Sequence, residues 1–124
     1  MLSYFKLATA TLLTFGALSF AQDVSLTIDG ASLNYESSAD IYGFQFSHDG
    51  CAIDADGGDA VANGFMISAS SGIALGFSLT GIFIPAGSGT LVDLGGECST
   101  ITDLVFSGAN GLALVAELSD GGGG

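Results

Sequence analysis

Apolar and polar residues alternate in short runs along most of this chain, with the period of two that a β-strand adopts when one face is buried and the other is wet. The clearest run lies near the centre, where Leu75, Phe77 and Leu79 alternate with Gly76, Ser78 and Thr80. The pattern predicts a strand with one face in a core, and commits Phe77 to that core. Gly81 ends the run. Ile82, Phe83 and Ile84 form a second apolar run that stops at Pro85, whose missing amide suits a turn through Gly89, and a third strand is predicted over residues 90–94.

The flanking segments read the same way. Residues 24–28 alternate apolar and hydroxyl side chains, and Asp29-Gly30 is a hairpin signal leading into residues 32–36, where Leu33 and Tyr35 share a face. Tyr42, Phe44 and Phe46 face one way and Gly43, Gln45 and Ser47 the other, so these aromatics are assigned to the core, as is Phe106. Residues 48–64 lose the alternation and form the longest irregular segment, a length that marks a functional or mobile loop. A short strand is predicted over 65–68, and two closing strands over 101–106 and 112–118, joined around Asn110-Gly111. The fold class is therefore all-β, an antiparallel β-sandwich or jelly roll of about eight to nine strands.

The N-terminus has a different character. Lys6 precedes an apolar run over residues 7–20, and Ser19 and Ala21 stand three and one residues before a cleavage point. That is a helical signal peptide over residues 1–21, and its apolar run is short of the ~20 residues a membrane span needs. The chain divides into the signal peptide, a β-sandwich domain over residues 22–120, and a Gly linker or truncated tail over 121–124. The address is secreted, extracellular or at the cell surface, with no membrane span after signal cleavage.

Charge narrows the function. The chain has 13 acidic residues, and Lys6 is its only Lys or Arg, so removal of the signal takes the formal charge from −12 to −13. Phosphate recognition rests on Lys and Arg, which excludes nucleic acid as a partner. Two readings of the acidity stay open: a domain kept soluble in a saline medium, and one that binds divalent cations.

Cys51 and Cys98 are the only cysteines, and an even count behind a secretory signal predicts one disulfide, with two buried free thiols as the competing reading. Asp54, Asp56 and Asp59 stand in a Gly-rich loop with Asp49 nearby, an oxygen-rich spacing that would take calcium, the one cofactor this sequence suggests. The position that would close an EF-hand loop counted from Asp54 is Phe65, so a solvated turn is the competing reading. Catalytic parts are missing: His48 is the lone histidine, the stretch 76–80 lacks the closing glycine of a nucleophile elbow, and Asp93 with Glu97 is only one of many carboxylate pairs available to a glycosidase. The inventory reads as no enzyme.

Three stretches carry a resemblance: residues 33–46 (Leu-Asn-Tyr-Glu-Ser-Ser-Ala-Asp-Ile-Tyr-Gly-Phe-Gln-Phe), residues 84–91 (Ile-Pro-Ala-Gly-Ser-Gly-Thr-Leu) and residues 104–107 (Leu-Val-Phe-Ser). Together they resemble the cohesin-like modules of secreted bacterial proteins. The resemblance implies a jelly roll related to carbohydrate-binding modules, and a noncatalytic partner-binding role, with a dockerin-like protein or a polysaccharide as ligand. The chain departs from that pattern in its cysteine pair and its Asp-rich loop. The alternatives are a calcium-stabilised structural or adhesin domain and a glycoside hydrolase fragment.

Overall fold

The strands form where alternation and turn chemistry agree. The computed structural model describes residues 23–119; the signal peptide and the Gly tail lie outside the described residues. β1 (Val24–Asp29) and β2 (Ser32–Ser37) make the hairpin signalled by Asp29-Gly30, with Gly30 at a φ of 62° that favours glycine. β3 (Gly43–Ser47), a single-turn helix α1 (Gly58–Ala62), β4 (Met66–Ala69), β5 (Ile73–Phe77), β6 (Gly87–Asp93), β7 (Thr102–Ser107), β8 (Ala113–Leu114) and β9 (Ala116–Leu118) follow. A four-stranded sheet has the order β9-β1-β2-β6, and a five-stranded sheet the order β4-β5-β3-β7-β8. Among the described residues the fold is an all-β sandwich of nine strands, and no helix is long and apolar enough to cross a membrane.

The core lies between the sheets. Val24, Leu26, Leu33, Leu91 and Val92 come to it from the four-stranded sheet, and Phe44, Phe46, Ala74 and Phe106 from the five-stranded one. Phe44 is its hub, with ring centroids 5.8 Å from Phe106, 6.2 Å from Phe65 and 6.5 Å from Phe46. Tyr42 is only half-buried and packs on Phe83 at 4.9 Å, outside this aromatic cluster.

Three local expectations are corrected. First, β5 sits with the opposite face inward: Ala74 and Gly76 are buried, whereas Leu75 and Phe77 point outward. The Phe44 ring lies on the β5 backbone, so a Cβ at Gly76 would stand 2.5 Å from its Cε2 and Cζ. The strand must turn its smallest residues toward a space the aromatic cluster already fills. Second, residues 112–118 do not form one strand. β8 pairs with β7, the chain crosses at Val115, and β9 joins the other sheet parallel to β1. Val115 O accepts from the amides of Asp23 and Val24, and Val115 N donates to the Asp23 carboxylate at 2.9 Å, which fixes the crossover. Third, the run 82–84 is no strand but a single bridge between Ile84 and Ile41.

The irregular segment has a structural task. β6 has a neighbour on one side only, and its other edge is covered by the 51–62 segment, through paired backbone hydrogen bonds between Asp56 and Asp93, each 2.8 Å, and through α1. Gly58 packs so closely that a Cβ there would meet the Leu91 carbonyl oxygen at 2.5 Å. An open edge of this kind would otherwise template pairing with another chain. The Cys51–Cys98 disulfide, with Cα atoms 5.2 Å apart, staples this cover to the turn after β6.

Candidate binding faces

The two solvent faces of the sandwich differ in chemistry. On the five-stranded sheet the outward positions of β4, β5, β3 and β7 line up by register into rows: Met66 and Phe77 beside Gly43 and Ser107, Ser68 and Leu75 beside Gln45 and Val105, and Ile73 beside Ser47. Met66 is 52% exposed, Val105 56% and Ile73 40%, so three large apolar side chains remain open to solvent beside half-buried Leu75 and Phe77. These rows contain no charged residue, although no Lys or Arg balances the acids anywhere in the described chain. Met66, Phe77, Leu75 and Ile73 adjoin on β4 and β5, with Val105 across the polar outward residues of β3, and an exposed apolar patch is a candidate interaction surface.

The face of the four-stranded sheet is polar throughout. Glu117, Ser25, Glu36 and Ser88 form one cross-strand row, and Thr27, Asn34 and Thr90 the next. A bulge places Asn34 opposite Thr90 while the preceding Leu33 pairs with Val92, so Leu91 is the extra residue and both Leu91 and Val92 point into the core. That irregularity lets β6 bury two consecutive apolar residues and still present Thr90 to solvent.

The residues singled out by sequence have other positions. Asp54, Asp56 and Asp59 are engaged separately: Asp54 backs onto Gly95, the Asp56 carboxylate accepts from the Gly57 amide at 2.9 Å, and the Asp59 carboxylate accepts from the Tyr35 hydroxyl at 2.8 Å. Among the described residues no group of three or more His, Cys, Asp or Glu side chains is arranged to hold a metal ion. His48 Nδ1 accepts from the amides of Gly50 and Ala52, at 2.9 and 3.3 Å, which puts its proton on Nε2, and that atom is buried without a partner. A histidine so placed organises the turn into Cys51, with neither nitrogen presented to a substrate. Asp93, exposed at the end of β6, accepts from the Gly95 amide at 2.9 Å.

Tyr35 has a displaced titration. Burial first, then the hydrogen bond and the negative charge of Asp59, push its hydroxyl from 10.0 up to about 12. The unfolded chain therefore loses this proton before the folded one. The contribution to stability is complete below pH 10 and is lost as pH rises toward 12. Chemical denaturation across that window should show stability falling in the wild type, and Tyr35→Phe should remove Tyr35's share of the fall.

Sequence reasoning missed the apolar face, yet a signal for it exists. Residues 60–92 contain no Asp or Glu in a chain with 13 acids, and this stretch supplies β4, β5 and most of β6. Its β4 and β5 portion is the part of this face that carries Met66, Ile73, Leu75 and Phe77, whereas its β6 portion belongs to the other sheet. No protein-family model matches the chain, and no curated protein or solved structure matches it.

Proposed function

We propose that this chain is a secreted, noncatalytic binding module of jelly-roll type, and that it docks a protein partner on the outer face of its five-stranded sheet. The single observation that carries the reading is the uncharged apolar surface of Met66, Ile73, Leu75, Phe77 and Val105 on a domain that is otherwise acidic. An interface core is depleted in charge and enriched in aromatic residues and Met, with a polar rim around it. Phe77 and Met66 are paired neighbours on this face and would serve as anchors. Acids elsewhere on the domain favour a partner whose own apolar patch is bordered by Lys or Arg, and they oppose pairing of two copies. The resemblance to cohesin-like modules points the same way, toward a dockerin-like protein.

The calcium-stabilised adhesin reading has less support, because the loop carboxylates are spent on separate contacts. The glycoside hydrolase reading would rest on a carboxylate pair, and of the pair offered by sequence the Asp93 carboxylate is engaged by the Gly95 amide. The test is a charge at an exposed position in the middle row of the face. Val105→Glu should abolish capture of the partner while the melting temperature stays within a few degrees, and neither protein should turn over common polysaccharides.

A further inference from the structure

Among the described residues the two sheets end in β9 and β6 on one side of the core and in β4 and β8 on the other. These edges are treated differently. β6 lies under the 51–62 cover, while β8 and β9 are only two and three residues long, with Glu117 in the middle of β9. β4 has none of these protections. Its residues Met66-Ile67-Ser68-Ala69 include no charge and no proline, and they pair with β5 in an unbroken register. Charges, prolines, bulges and covers are the devices that keep an edge from accepting another strand.

The phase of the hydrogen bonds shows what the open edge offers. Ser70 N donates to Ile73 O at 2.8 Å across the turn after β4, and His48 N donates to Gly72 O at 2.9 Å on the far side of β5. Bonded pairs alternate along an antiparallel ladder, so Met66 and Ser68 exchange bonds with β5, whereas the N–H and C=O of Ile67 and Ala69 point away from the sheet. Phe65 has the same outward phase and donates its amide to Ala60 O at 2.8 Å, which marks where α1 ends the open stretch. The outward groups of Ile67 and Ala69 have no such partner among the described residues.

We infer that the β4 edge takes up an extended, Lys- or Arg-bearing segment of a partner protein as an added strand. Two outward donors and two outward acceptors at alternate residues are what an incoming strand completes, and a helix, whose backbone groups are bonded internally, cannot complete them. The charge of the occupant follows from the domain, which has no Lys or Arg among the described residues and places exposed Asp49 in the turn packed at the C-terminal end of β4. Like charge opposes a second copy. This edge goes beyond outer-face docking and can fail without it, since Val105 lies on β7, three strands away.

Hydrogen exchange of the labelled protein, followed by NMR with the synthetic peptide Lys-Val-Thr-Val-Thr-Val-Lys at millimolar concentration, tests this. In the free protein the amides of Ile67 and Ala69 should exchange at least tenfold faster than that of Ser68. The peptide should slow both at least tenfold and leave Ser68 unchanged, and the same peptide with Glu in place of Lys should not. Ala69→Pro removes an outward donor and no bond to β5, so it should weaken peptide binding at least tenfold while the melting temperature stays within a few degrees. If that variant unfolds, an ester in place of the Ala69 amide removes the same donor without the ring. Val105→Glu should leave the protection intact, so edge and face are read separately. Slow exchange of Ile67 and Ala69 in the free protein, or protection that grows with protein concentration, would overturn the inference. So would failure of the Lys peptide to protect them, equal protection by the Glu peptide, binding that survives loss of the Ala69 donor, or protection lost in Val105→Glu.

Discussion

Replacing Cys51 and Cys98 together by serine is expected to lower the melting temperature by roughly 15–30 °C. The bridge joins residues 47 apart, and a loop of that length restricts the unfolded chain by about 4 kcal/mol in the chain-entropy account. A domain of this size loses about 4–8 °C per kcal/mol. The native structure adds a second contribution, because the disulfide holds the 51–62 cover against the turn after β6. Gly96 approaches so closely that a Cβ on it would stand 2.5 Å from the Cys51 carbonyl oxygen, and one on Gly95 would stand 2.7 Å from the Asp54 Cβ. Without the staple the cover can lift and expose the edge of β6, so the serine variant should also self-associate on heating, visible as light scattering at the transition. Calorimetry of the two proteins decides it. A loss under about 5 °C would mean that the loop holds its place without the bond.

Gly76→Ala should destabilise the domain by about 2–3 kcal/mol, a large effect for one methyl group. The added Cβ meets the Phe44 ring at 2.5 Å and Ile67 Cδ1 at 3.1 Å, and the ring cannot retreat because it is packed on Phe46, Phe65 and Phe106. Overpacking of a filled core costs about 1–3 kcal/mol. Phe44→Leu removes the ring and opens a cavity, so it should also destabilise when made alone. In the double variant the leucine vacates the space the new methyl needs, and the combined loss should be clearly less than the sum. Additive losses in urea denaturation would place the ring elsewhere. They would also undo the reason that Leu75 and Phe77 face solvent.

The pair of Gly76 and Phe44 marks the limit of what the sequence could tell. The strand at 43–47, the Asp29-Gly30 hairpin and the partnership of the two cysteines were legible, since each depends on a local pattern or a count. The existence of β5 was legible too, but its facing was not. Alternation of Leu and Phe with Gly, Ser and Ala ordinarily sends the large residues inward. Here the decision came from a neighbouring strand whose rings had already filled the core, which is information no window around residue 76 contains. The crossover at Val115 was hidden for a similar reason: residues 112–116 are apolar without a break, and only the partners at Ser107 and Val24 reveal the change of sheet. The calcium reading of the 54–59 loop followed from the spacing of its carboxylates around a glycine turn, whereas the folded chain gives Asp56 to a backbone amide and Asp59 to Tyr35.

The misjudged facing bears on the proposed function, because the outward Phe77 beside Met66 is what the proposed docking face rests on. With β5 reversed, the face would have presented Ala74 and Gly76 and offered a partner little to hold. The acid-free stretch 60–92 has the same consequence at the level of charge: the surface can be desolvated without burying a carboxylate.

Titration of a protein captured by the wild-type domain, against the wild type and against Val105→Glu, by calorimetry under the same salt conditions, tests the proposed docking face most directly. A buried, unpaired carboxylate at the interface should weaken binding at least a hundredfold, about 2.8 kcal/mol. Equal affinity for the two proteins, with Val105→Glu folded and of unchanged melting temperature, would contradict the assignment of this face.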